Sequence, residues 1–294
     1  MALLSAAIFG FVTVADKRLI SVNMPVLSSF YLVIVISLFG HTGSAIAVFG
    51  IPDQLPFRHL LLAGGAGLVR GAALWTMFIG YRFEEASRAS AVIHTFPVFV
   101  ALLAVPLLGE RLSITQWAAI LIVVSGAFSI SFRISGPNLF TLNKAFPILV
   151  SASIFTALAH ISGKYALAEI EAEFVYAVRN FFMAIFLMMF CRPKDTVTLI
   201  RALKNPQTFT LVLIGEVILA PVGIFLNVVA SNLGAISIVS TVTASRPFFV
   251  FLYGSLLSVP PFRLLDESID IRTLATKAIS IALIMGGIAL LSFG

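Results

Sequence analysis

The sequence predicts an all-α integral membrane protein of ten transmembrane helices, arranged as two inverted five-helix repeats. Three observations predict it. The first is composition: of 294 residues, 60% are hydrophobic and only 11% charged, with a mean hydropathy of +1.07. Soluble domains carry about 25% charged residues, so this chain has too little polar surface to stay in water. The second is the length of its apolar runs. They are about 20 residues long, which suits membrane helices and not the roughly ten-residue alternating strands of a barrel. The third is an internal repeat, which divides the chain. The stretch Ser87 to Leu112 returns 150 positions later as Ser237 to Leu257. Ser87 then pairs with Ser237, Ser90 with Ser240, Val92 with Val242, Pro97 with Pro247, Phe99 with Phe249 and Leu102 with Leu252.

Apolar runs read against their polar, proline and glycine interruptions give the spans 3–20, 26–49, 58–81, 86–108, 114–132, 145–167, 173–191, 208–231, 234–258 and 273–293. Met1 leads into the first with no positive n-region and no small-residue cleavage site, so this run reads as a span and not a signal peptide. Asn23-Met24-Pro25 closes it, and Ile51 to Pro56 closes the second. The fourth is an apolar helix with Pro97 near its midpoint, stopped by Gly109-Glu110-Arg111. Residues 133–144, containing Gly136-Pro137-Asn138, link the first repeat, 1–132, to the second, 145–294. A charged connection runs from Arg192 to Gln207. Five spans per repeat is an odd number, so the second repeat must enter the membrane from the opposite face. Lys17 and Lys164 hold corresponding places near the ends of the first and sixth spans, where snorkelling to the interface accounts for them. Ser125-Gly126 with Ser131-Phe132 answers to Gly286-Gly287 with Ser292-Phe293, after an insertion at Pro260 to Asp270 where the Gly-Glu-Arg ending is missing.

Taken together, the ten spans in two halves, the lysine late in the first span of each, Pro97-Val98-Phe99 and Pro247-Phe248-Phe249, and Gly109-Glu110-Arg111-Leu112 before the fifth span resemble the drug/metabolite transporter superfamily, EamA type. The resemblance covers nearly the whole chain and rests on the order and repetition of the features. It implies a secondary transporter of small organic metabolites, not an enzyme, in a bacterial plasma membrane. It also implies a central cavity lined by spans 1, 3, 4, 6, 8 and 9.

Charges deep inside apolar spans are the candidate chemistry. Arg70 lies at the middle of span 3, Arg246 at the middle of span 9, and Arg179 and Glu216 about a third of the way into spans 7 and 8. Each costs about 2.5–3.5 kcal/mol at a helix centre, so they should face the bundle interior, a watery cavity or one another. Arg246 reads equally as a bidentate anchor for an acidic substrate group and as a partner of Glu216 that locks span 9 to span 8. Arg70 stands among Gly64, Gly65, Gly67 and Gly71, which favour close helix packing. Glu216 reads as an arginine partner or as the carrier of a coupling proton, since a carboxyl withdrawn from water holds its proton more readily. His94, Ser90 and Ser87 form a polar stripe before Pro97, answered by Ser237, Ser240 and Thr241 before Pro247. Tyr253 lies on the face of Arg246, and His160, Ser162, Tyr165, Trp75, Tyr81 and Asn227 complete the candidates, while Arg179 reads as structural.

The expected partners are a small-molecule substrate, anionic or amino-acid-like, the lipid bilayer, and protons as a coupling ion. No cofactor is expected. Cys191 is the single cysteine, so no internal disulfide forms, and no metal-ligand cluster stands in the sequence. The net charge of +6 suits anionic headgroups and needs no nucleic acid. A membrane-embedded enzyme acting on a lipid-linked substrate would show a catalytic cluster, and a channel a filter or a ring. Prolines at matching places in inverted repeats favour alternating access instead. The basic residues of the connections place both termini outside, whereas the resemblance places Met1 in the cytoplasm; reporters on the termini decide between them.

Overall fold

In a computed structural model, residues 1–84, 86–129, 145–258 and 271–291 are described. The expected linker 133–144, the insertion at 260–270 and the pairs Ser131-Phe132 and Ser292-Phe293 lie outside them. Every regular element among the described residues is helical. A chain this apolar must satisfy its backbone within each segment once it enters lipid, and a helix does so.

Helix α1 (Ala2–Arg18) runs on through a π-helical stretch, Leu19–Asn23, and is followed by α2 (Leu27–Phe49) and α3 (Phe57–Phe83). Then come α4 (Ala86–Ile93), α5 (Phe96–Leu108), α6 (Ile114–Ser129), α7 (Ala145–Ala166), α8 (Ala172–Met188) and the short α9 (Asp195–Leu203). After α9, α10 (Pro206–Val212), a second π-helical stretch (Leu213–Leu219) and α11 (Ala220–Leu233) form one continuous rod. The chain closes with α12 (Ile236–Thr243), α13 (Arg246–Ser258) and α14 (Ile271–Leu291). Among the described residues, five segments are long and apolar enough to cross a membrane: Leu27–Phe49, Phe57–Phe83, Ala145–Ala166, Pro206–Leu233 and Ile236–Ser258. Phe96–Leu108 and Ile114–Gly126 are shorter apolar helices.

Two details differ from the sequence reading. The proline-bearing helices are not continuous: α4 breaks from α5 at His94-Thr95, and α12 from α13 at Ala244-Ser245. Pro97 and Pro247 each take the second position of the downstream helix, where a missing N–H costs nothing. The two breaks share their hydrogen bonds. His94 N donates to Ser90 O and Ala244 N to Ser240 O, both at 2.9 Å, and the Thr95 and Ser245 hydroxyls donate to the Val92 and Val242 carbonyls, both at 2.8 Å. The charged connection after Arg192 contains helix α9, whose buried Leu199 packs into the core cluster around α2. Asp195 fixes its start by accepting from Arg192 N at 3.1 Å.

The lysines do more than snorkel. Lys17 Nζ donates to the Tyr81 carbonyl and, at 2.7 Å, to the Glu84 carbonyl, at the end of α3. Lys164 Nζ donates to the carbonyls of Ser231 at 2.7 Å and Gly234 at 2.9 Å, at the end of α11. The acceptors correspond at the same spacing of 150 positions seen in the sequence repeat. An ammonium on carbonyls that have no helical partner satisfies the helix end and its negative dipole together.

Packing brings the ends of the sequence together. Helix α6 lies along α14, α2 along α8, α1 along α13 and α11, and α7 along α3 and α5. Glycines set the closest approaches: a Cβ at Gly126 would meet Ser280 O at 2.8 Å, and one at Gly287 would meet Val123 Cγ2 at 2.6 Å. Glu110 joins the end of α5 to the start of α12. Its carboxylate accepts from Ile236 N at 2.6 Å, from Ser237 N at 3.2 Å and from the Ser237 hydroxyl.

Candidate functional site

Helices α1, α2, α3, α4, α5, α7, α8, α11, α12 and α13 and the Leu213–Leu219 stretch surround a central cavity. The centres of water-sized molecules can occupy ≈ 100 Å³ of it, several times the roughly 10–15 Å³ that one water requires. The wall contributed by α1 is a single helical stripe, Phe9, Val12, Thr13 and Asp16, spaced as one face of a helix must be.

Three arginines converge on this space from different helices: Arg70 of α3, Arg179 of α8 and Arg246 of α13. The break at Ala244-Ser245 makes Arg246 the first residue of α13, so its side chain leaves the backbone beside the cavity and not within a continuous rod. Arg246 is 6% exposed, its guanidinium lies 4.3 Å from the centre of the Phe9 ring, and its Nε has no hydrogen-bond partner. Arg70 Nη1 donates to Thr156 Oγ1 at 2.9 Å. Arg179 is held by close backbone packing, since a Cβ at Gly67 would lie 2.5 Å from the Arg179 carbonyl oxygen; its Nε is also unpartnered.

Of the two readings of Arg246, the pairing with Glu216 has no ion pair behind it among the described residues. Glu216, in the π-helical stretch, lies instead within hydrogen-bonding reach of Asp16 of α1. Both carboxyls are 5% exposed and both line the cavity. Asp16 Oδ1 has no partner of its own. Three guanidinium groups against two carboxyls leave the wall positive even with both carboxyls ionised. His94 Nδ1 donates to the Ser90 carbonyl at 2.6 Å, and His160 stacks on Phe96 at 5.2 Å. His41 and Asn180 line the cavity with buried polar atoms that have no partner, and Asn227 Nδ2 donates to Thr243 Oγ1 at 3.2 Å.

The cavity thus gathers Arg246, Arg70, His94 and Glu216, together with Arg179, His160 and Asn227 from the longer set of candidates. It does not gather Ser90, Ser240 or Tyr253. Both serines are fully buried against their own helix, Ser240 donating to Ser237 O at 2.9 Å, and Tyr253 packs on Phe249 and Phe11. Trp75 stacks on Phe190 and Tyr165 donates to the Leu107 carbonyl, both away from the wall. Sequence reasoning missed Asp16, His41, Thr156, Asn180 and Thr243. The signal for Asp16 was the stripe it shares with Phe9, Val12 and Thr13; beside Lys17-Arg18 it reads as a helix end.

Residues 1–132 match the model of the EamA-like transporter family. The likeness to the EamA-like family thus covers 132 of the 294 residues. That family lies within the drug/metabolite transporter superfamily, whose members transport small molecules. No curated protein matches the chain. A solved structure titled only as the crystal structure of a protein matches it with 18% identity and a TM-score of 0.67, over 99% of this chain and 96% of that one. At this identity the likeness concerns the fold alone, and it spans nearly the whole chain.

Proposed function

We propose that this EamA-like protein is a secondary transporter that carries a small organic anion through the central cavity by alternating access. The observation that carries the reading is the convergence of Arg70, Arg179 and Arg246, two of them with a buried unpartnered Nε, on one cavity. A guanidinium without a partner is costly away from water, and a planar carboxylate or phosphate matches it in charge and geometry.

Alternating access requires two bodies that rock about a central site. Ten spans in two inverted repeats, residues 1–132 and 145–294 joined by 133–144, supply them. The matched helix breaks, the matched lysine contacts and the exchange of partners between α1 with α11 and α13 and α7 with α3 and α5 all support this arrangement.

The test is thermal stabilisation of the purified protein by a panel of small carboxylates, phosphates and amines, since a ligand of the folded state raises the melting temperature by mass action. The expected result is stabilisation by anions alone, lost in Arg246→Gln. Stabilisation by amines alone, or by anions equally in Arg246→Gln, overturns the reading.

A further inference from the structure

Asp16 and Glu216 belong to helices that are distant in sequence, yet their carboxyls meet at the cavity wall. Two carboxylates in contact repel, and a hydrogen bond between them requires one to keep its proton. Both carboxyls are nine-tenths buried, both residues line the cavity, and one oxygen of Asp16 has no hydrogen-bond partner. Glu216 also sits in a π-helical stretch, a distortion that recurs at functional sites.

We propose that Asp16 and Glu216 together form a proton-binding site, and that protons and the substrate anion bind this cavity co-operatively. The inference rests on the transporter reading above. The groups that face the pair fix the sign. Arg246 comes from α13, Arg70 and Tyr81 from α3, and His41 from α2. The same cavity is lined by Arg179 of α8, His94 at the break between α4 and α5, and His160 of α7. Lys17, the next residue on α1, is turned to the carbonyls of α3. Each proton taken up by the pair removes a negative charge from a wall that already carries three guanidinium groups, so it strengthens the hold on an anion. Reciprocity then requires the bound anion to strengthen proton binding by the same factor. Only an O–H bond forms and breaks, with water as the proton donor and acceptor. Anion and proton therefore cross together, and anion affinity falls as pH rises, by at most about tenfold per pH unit for one linked proton.

The experiment uses the full chain in detergent with succinate and inorganic phosphate as probes. It measures the pH dependence of their binding and the uptake of protons from a weakly buffered dye solution. The expected result is proton uptake on binding in the wild-type protein. In Asp16→Asn and Glu216→Gln, uptake is lost and binding of the probe becomes independent of pH. Wild-type binding without proton uptake, or variants that keep both uptake and pH slope, overturns the proton site while leaving anion transport standing. Binding of neither probe counts against the anion reading, and the proton site is then judged without ligand. A protonated-carboxyl infrared band, absent from both single variants, supports it, and no such band in the wild-type protein overturns it.

Discussion

A guanidinium at the centre of an apolar span costs about 2.5–3.5 kcal/mol. Arg246 recovers part of that from the face of Phe9, a contact worth roughly 0.5–2 kcal/mol depending on its desolvation. The remainder is available to a ligand. Arg246→Lys keeps the charge but loses the planar fork, and in an exchange assay it should raise the apparent KM. Arg246→Gln should lower affinity by about 10- to 150-fold, the equivalent of roughly 1.5–3 kcal/mol for a charge-assisted contact, with the protein still folded. Normal transport by Arg246→Gln would make the arginine structural. Lys17 and Lys164 carry a different prediction. Lys17 holds carbonyls at the end of α3, and Lys164 holds carbonyls at the end of α11. Lys17→Met and Lys164→Met should each lower stability by about 1–3 kcal/mol, the cost of stranding buried acceptors, read by denaturant unfolding in detergent. Unchanged midpoints would return both lysines to the interface.

At the scale of the element, glycine decides how close helices come. A Cβ at Gly67 would press on the Arg179 carbonyl oxygen at 2.5 Å, and backbone cannot turn aside as a side chain can. Gly67→Ala should therefore displace α8 from α3, lower stability by about 1–3 kcal/mol and weaken anion binding through Arg179; Gly65→Ala, where a Cβ meets nothing within 4 Å, is the control. Equal behaviour of the two would remove the packing argument. The helices themselves were legible, because each apolar run ends in proline, glycine or charge. Their breaks were not. His94-Thr95 and Ala244-Ser245 carry no breaker of their own, and the prolines that cause the breaks lie two residues further on. Arg70, Arg246, Glu216 and His94 were legible as costly groups in apolar context. Asp16 was not, because Lys17 and Arg18 beside it suggest a helix end, whereas α1 continues through a π-helical stretch to Asn23. The contact of Asp16 with Glu216 joins residues 200 positions apart, and no local pattern encodes it.

On the scale of the whole molecule, the proposed alternating access requires contacts that open and close. The bridge from Glu110, at the end of α5, to the start of α12 through two backbone N–H groups and a hydroxyl is the contact we test for this. A disulfide between cysteines placed at Glu110 and Ser237, in a chain with Cys191→Ala, should arrest exchange, and a reductant should restore it. Exchange that continues through the cross-link would mean that this contact does not open. The central claim, that the cavity carries small anions by alternating access, meets its most direct test in counterflow. Proteoliposomes loaded with an unlabelled small carboxylate are diluted into a trace of the same labelled compound, across a panel of carboxylates. The account predicts transient accumulation of label for at least one anion, abolished in Arg246→Gln and by the Glu110–Ser237 cross-link. Counterflow of amines but of no anion, or anion counterflow that persists in Arg246→Gln, would contradict it.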